Sequence, residues 1–245
     1  MKGIISVLTF IGVILSVSPA YSETYICPPC GGPCDTLVFA AAGTCSGCGM
    51  TLVASSQIRD VAILVFEGVE LLDFTGPYEA FHAAGGFFRV STVSRDGAML
   101  SSNAGLTFKP SHSFENCPSP DIVVIPGGNV GTAIGDSAAM AFLRRALHTS
   151  EVVMSVCNGA HILAELGALD GLTVTTHHGA IENLRQRAPK ATVVDDRRWV
   201  DNGKIITAAG VSSGIDATLH LIARLHGDAA ARDVEQYIEF ERRTD

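Results

Sequence analysis

The chain has 245 residues, 47% of them hydrophobic and 17% charged, and a formal net charge of -8 at neutral pH. That length allows one sizeable domain with a small appendage. The acidic balance argues against nucleic acid or an anionic membrane surface as a partner and predicts a self-repelling surface.

In chain order, the first 22 residues read as a leader rather than as part of the fold. Lys2 supplies a positive start, Ile4 to Val17 is apolar apart from Ser6, Thr9, Gly12 and Ser16, and Ala20-Tyr21-Ser22 puts small residues where a signal peptidase reads. The apolar run of about 14 residues is shorter than the roughly 20 that a membrane-spanning helix needs. The expectation is a cleaved signal peptide over residues 1–22, with the mature chain starting near Glu23, periplasmic or secreted, and with no membrane partner after cleavage. The alternative is an uncleaved anchor.

Residues 23–55 form a cysteine-rich module that carries five of the seven cysteines. Cys27-Pro-Pro-Cys30 and Cys45-Ser-Gly-Cys48 are two C-x-x-C knuckles separated by fourteen residues. Each knuckle turns two sulfurs toward one point, so this spacing points to tetrahedral thiolate coordination of a structural zinc by Cys27, Cys30, Cys45 and Cys48. In an oxidising compartment the same cysteines also suit disulfides, with Cys34 as a fifth thiol. Cys45 to Leu52 (Cys-Ser-Gly-Cys-Gly-Met-Thr-Leu) resembles the short, zinc-ribbon-like heavy-metal-binding modules of bacterial envelope proteins.

Residues 56–245 alternate strand and helix patterns. Asp60 to Phe66 is a nearly continuous apolar run, as a strand buried on both faces requires. Leu71 to Ala84 reads as a helix, Phe88 to Val93 and Asp121 to Ile125 as strands, and Ser137 to His148 as a helix. Val152 to Val156 is another buried strand, followed by a helix from about Asn158 to Leu166. Leu172 to Thr175 is strand-like, and Trp199 to Thr207, broken by Asp201-Asn202-Gly203, is a hairpin. Ser213 to Leu225 and Asp228 to Phe240 close the chain as helices. The alternation predicts an α/β fold, a three-layer sandwich with a mostly parallel sheet.

In such sheets the functional crevice lies at the C-terminal ends of the strands. Ser155-Val156-Cys157-Asn158-Gly159 runs a buried strand into a nucleophile and then a helix, a nucleophile-elbow arrangement. The helix dipole there favours a Cys157 thiolate. Pro126-Gly127-Gly128 ends another strand, and its backbone, with the N–H of Asn158, offers donors to developing negative charge. Asp73 begins a helix after the first strand, as a cap or as an acid/base carboxylate with a raised pKa beside the thiol. His161, one turn beyond Cys157, reads as a core residue, and Cys117 as structural.

These segments resemble the ThiJ/PfpI family, which has the class I glutamine amidotransferase-like, flavodoxin-like fold. Its carriers are Asp73-Phe-Thr-Gly-Pro-Tyr-Glu-Ala-Phe81, Val124-Ile-Pro-Gly-Gly128, Ser155-Val-Cys-Asn-Gly-Ala160, Thr175-Thr-His177, and Arg197 to Lys204 leading to Ala209-Gly-Val-Ser-Ser-Gly-Ile-Asp216. Within the family the chain is similar to isonitrile hydratases and to the sensor domains of AraC-type regulators. The resemblance implies a homodimer acting on a small-molecule substrate, with no catalytic cofactor. It gives Cys157 as nucleophile, Asp73 as proton shuttle, and His177 near the cysteine. Where those hydratases commonly carry threonine after the nucleophile, this chain has Asn158. Three functions share the thiol: hydration of a C–N multiple bond, action on reactive carbonyls such as glyoxals, and sensing of a ligand or oxidant without turnover. Asp73, where the carbonyl-acting branch usually has glutamate, ranks hydration first.

Overall fold

The computed structural model describes residues 23–28 and 32–243. The expected leader, residues 1–22, and Cys30 lie outside the described residues.

Residues 23–57 carry a small antiparallel sheet of β1 (Tyr25–Ile26), β2 (Val38–Phe39) and β3 (Val53–Ala54), in the order β2-β1-β3. Its apolar cluster is separate from the main one and consists of Cys27, Cys34, Cys45 and Leu52, with Tyr25 and Phe39 against them.

The main body follows as β4 (Arg59–Leu64), α1 (Leu71–His82), β5 (Phe88–Ser94), β6 (Leu100–Ser101), β7 (Thr107–Phe108), β8 (His112–Ser113), β9 (Ile122–Ile125), α2 (Val130–Ile134) and α3 (Ser137–Thr149). It continues with β10 (Val152–Val156), α4 (Ala160–Glu165), β11 (Thr173–Val174), α5 (Ile181–Arg187), β12 (Thr192–Val193), β13 (Trp199–Asp201), β14 (Ile205–Ala208), α6 (Ser213–His226) and α7 (Asp228–Tyr237).

Seven strands make the central sheet, in the order β13-β14-β10-β9-β4-β5-β8. All neighbouring pairs are parallel except β13 and β14, which form the expected hairpin. Every residue of β9 and β10 is buried, which is why those strands read as nearly continuous apolar runs, broken only by Ser155. Helices α1, α6 and α7 cover one face, and α2 to α5 the other, giving the predicted three layers.

Two expectations changed. The segment Leu172 to Thr175 shortens to β11, which pairs with β12 outside the central sheet. The helix after β10 opens with a 3₁₀ turn, Cys157–Gly159, before α4 begins.

The strand order positions the site. From β4 the chain steps to β5 on one side and then returns to β9, β10 and β14 on the other. The gap above β4 and β9 is therefore the topological switch point, where a crevice opens at the strands' C-terminal ends. Asp73 follows β4, Gly127 follows β9 and Cys157 follows β10, so three segments distant in sequence meet over three adjacent strands.

Candidate active site

Cys157 is the first residue beyond β10 and adopts a left-handed backbone, φ 57°. A non-glycine residue rarely sits there, and such strain is concentrated at functional turns. The neighbourhood holds it in place. The Cys157 N–H donates to the Ala209 carbonyl at 2.8 Å, and the Thr176 hydroxyl donates to the Cys157 carbonyl at 2.7 Å. Gly159 is required by space, because a Cβ there would overlap the carbonyl oxygen of Ile125. Cys157 as a whole is 8% exposed.

Asp73 is fully buried in the first turn of α1. Its Oδ2 accepts the Gly127 N–H at 2.9 Å. Its Oδ1 is buried with no completed hydrogen bond. Burial pushes the carboxyl up from 3.8 to about 7, against the Gly127 N–H, which lowers it; the Glu70 charge adds to the rise, and the Cys157 thiol offsets part of it. Burial likewise pushes the Cys157 thiol up to about 12, and the nearby Asp73 charge adds to that. The N–H groups of Asn158 and Val211 act on the sulfur in the opposite direction and do not offset the rise.

This corrects the expectation of a standing thiolate. The helix terminus does supply an N–H, that of Asn158, but desolvation and a facing carboxyl outweigh it. Cys157 rests as a thiol beside a carboxyl able to take its proton.

The expected anion donors are also rearranged. The Gly127 N–H is engaged by Asp73, and the Gly128 N–H donates to Asn158 Oδ1 at 2.8 Å. Asn158 returns a bond from its Nδ2 to the Gly128 carbonyl at 3.0 Å. Both glycine N–H groups thus hold the site together rather than stand free, and the donors reaching the sulfur are Asn158 and Val211. Neither Val211 nor the Asn158 side chain has a role that motif spacing reveals. Val211 has φ 44°, an outlier for a β-branched residue, and the preceding Gly210 was the available signal of a tight turn.

His177 makes no hydrogen bond to Cys157 among the described residues. Its Nδ1 accepts the Gly179 N–H at 3.1 Å, and its ring lies against His178. Burial, then the His178 charge, lowers its pKa, so the ring is neutral near pH 7. His177, His178, Arg197 and Val211 line a cleft of about 450 Å³. Thr176, Ala209 and Val211 belong both to that cleft and to the frame of Cys157, so it opens beside the nucleophile. Arg198 and Asp216, both in the motif-bearing C-terminal part, are structural partners: the Arg198 Nε donates to Asp216 Oδ2 at 2.7 Å, and Asp216 is fully buried.

His161 is buried with an unpaired Nε2, and its pKa is lowered by burial. Cys117 is half-buried. At the other end of the chain the sulfurs of Cys27, Cys45 and Cys48 stand together as the spacing predicted, and Cys34 joins them.

The DJ-1/PfpI family profile matches residues 59–224. An isonitrile hydratase from Pseudomonas putida is 34% identical over 184 residues, covering 74% of this chain and 78% of that protein. The HTH-type transcriptional regulator CdhR of Pseudomonas aeruginosa is 27% identical over 185 residues, 74% of this chain but 55% of the regulator. Among solved structures, a ThiJ/PfpI family protein from Pseudomonas syringae superposes with a TM-score of 0.69 at 27% identity, covering 76% of this chain and 77% of that one.

Proposed function

This chain belongs to the DJ-1/PfpI family, and on that premise we propose that it is a cysteine-dependent enzyme that hydrates isonitriles to N-substituted formamides. The observation that carries the reading is the state of Asp73. One oxygen is pinned by the Gly127 N–H, and the other is buried with no completed hydrogen bond, in a carboxyl on which the neighbouring Cys157 thiol acts. A carboxyl so placed, with a pKa near the working pH, suits repeated proton transfer.

The steps follow from that pair. Asp73 takes the thiol proton as the Cys157 sulfur bonds to the terminal isonitrile carbon, and returns it to that carbon. The product of this step is a thioimidate, R–N=CH–S–Cys157. Asp73 then accepts a proton from water as its oxygen adds to the same carbon, and passes the proton to nitrogen. Collapse of the tetrahedral adduct breaks the C–S bond. The hydroxyl proton returns to sulfur through Asp73, leaving R–NH–CHO. The N–H groups of Asn158 and Val211 steady the sulfur as negative charge builds on it. The neighbouring cleft of about 450 Å³ takes the R group.

The upward-shifted thiol weighs against an oxidant sensor, because oxidation tracks thiolate character. The test is incubation of the chain and of Cys157→Ala with a simple alkyl isonitrile and with methylglyoxal. Formamide formed by the wild type and lost in Cys157→Ala supports the reading. Conversion of methylglyoxal alone moves the function to reactive carbonyls, and turnover of neither sinks it. We further propose, from the leader-like residues 1–22, that the reaction takes place outside the cytoplasm, and, from the family membership, that the enzyme is a homodimer. Cell fractionation and the mass in solution test these two points.

A further inference from the structure

We infer that Cys27, Cys34, Cys45 and Cys48 form one four-thiolate site for a tetrahedral, sulfur-seeking divalent ion of the zinc class, and that this ion clamps the N-terminal module. The four sulfurs all lie within 4.8 Å of one another. Cys27 Sγ is 3.2 Å from Cys48 Sγ and 3.8 Å from Cys34 Sγ. Zinc–sulfur bonds of about 2.3 Å at tetrahedral angles place sulfurs about 3.8 Å apart. A disulfide joins one sulfur to one partner at about 2.0 Å. Here Cys27 faces two sulfurs at once, which is the pattern of a shared central ion.

The scaffold is built around that point. Thr44 and Thr51 pair as an antiparallel bridge. Inside it the Cys45 N–H donates to the Met50 carbonyl at 2.8 Å, and the Gly49 N–H to the Cys45 carbonyl at 2.8 Å. Gly49 closes the turn with φ 79°, which suits glycine. The turn that carries Cys34 packs against this knuckle: a Cβ on Gly47 would lie 3.3 Å from Cys34 Cβ and 3.6 Å from its sulfur. Cys34 therefore reaches the cluster through folding rather than through the C-x-x-C spacing.

The module needs such a clamp. Among the described residues its apolar cluster holds, besides three cysteines, only Leu52 with Tyr25 and Phe39 against it. A core of that size does not hold a few dozen residues together unaided. The module leads directly into β4, at the N-terminal end of the parallel strands, whereas Cys157 sits at their C-terminal end. The ion is thus remote from the thiol chemistry. Cys48 is exposed, so a chelator can reach the ion.

The experiment uses the full chain, purified under reductant, stripped with a chelator and titrated with Co²⁺. The expected result is one Co²⁺ per chain, with a thiolate-to-cobalt charge-transfer band and the strong visible bands of a tetrahedral site. Cys27→Ser and Cys34→Ser lose these bands, while Cys30→Ser and Cys157→Ala keep them. No uptake by the reduced wild type overturns the site. Loss in Cys30→Ser with retention in Cys34→Ser overturns the ligand set. Should Cys34→Ser fail to fold, X-ray absorption of the zinc-loaded wild type decides: four sulfurs at about 2.3 Å support the site, and nitrogen or oxygen in the shell overturns it.

Discussion

Asn158 and Gly128 clasp each other through two hydrogen bonds, Gly128 N–H to Asn158 Oδ1 at 2.8 Å and Asn158 Nδ2 to the Gly128 carbonyl at 3.0 Å. The clasp ties the turn after β9 to the turn after β10. Asn158→Ala removes both bonds; the Gly128 carbonyl keeps the Val130 N–H at 2.9 Å, and the partly buried Gly128 N–H is left unsatisfied. The expected loss is about 1–3 kcal/mol of stability, read from urea unfolding. The thiol should also become easier to alkylate, because the tie over the nucleophile turn is gone. An unchanged urea midpoint would show that the clasp does not hold the site.

Asp73→Asn should abolish formamide production while leaving the fold intact. In the wild type the carboxylate must accept the thiol proton, and burial holds its pKa at about 7. The rate should therefore fall about tenfold per pH unit below that value. A pH–rate profile flat between 5 and 7, on the order of the pH range set by that shift, would remove Asp73 as the base.

The same shift has a sign in stability. Burial raises Asp73 from 3.8 to about 7, so in that window the folded protein holds a proton that the unfolded chain releases. The contribution is present in full below the lower value and is lost as pH rises through the upper one. At about 1.4 kcal/mol per pKa unit, the loss is at most on the order of 4 kcal/mol. Asp73→Asn should therefore unfold at a higher temperature than the wild type at pH about 8, with the difference shrinking toward pH about 4. Equal melting curves at both pH values would contradict the buried, raised carboxyl.

Iodoacetamide should modify Cys157 slowly near neutral pH, because burial and the Asp73 charge push its thiol to about 12. The rate should climb with pH, and Asp73→Asn should accelerate it by removing the neighbouring charge. Rapid labelling of the native wild type at pH about 7 would restore the standing thiolate.

Arg198→Leu leaves Asp216 buried without its cation. The expected cost is about 3–5 kcal/mol, seen as a lowered urea midpoint. The Arg198 guanidinium also donates to Ser212 at 3.2 Å, so the turn that carries Val211 should loosen as well. Retention of wild-type stability would show that Asp216 finds another partner.

The architecture is legible because β9 is wholly apolar, β10 is apolar but for Ser155, β4 is apolar from Val61 onward, and each is followed by conspicuous residues. The two-residue strands β8 and β11 and the five-residue α2 are too short to show a period. Cys157 stood out through its strand-to-helix setting, but its resting protonation did not. A terminus rule registers the dipole of the following turn, not the desolvation and the Asp73 carboxyl that arrive from other strands. Cys34 reads as a fifth thiol rather than a metal ligand for a related reason: the motif sets its cysteines three positions apart, and Cys34 stands seven residues from Cys27. The glycines after β9 stand where the strand ends, as read, but only the fold shows that their N–H groups already have partners.

The pairing of Asp73 with Gly127 joins residues 54 apart in sequence. Such contacts form late, because a long loop must close before they can be made. Cys157 becomes shielded only when β4, β9 and β10 have come together in their final order. During refolding its sulfur should stay open to a fast thiol reagent until that moment and then fall silent. A single side chain can in this way serve as a clock for the closing of the sheet's centre.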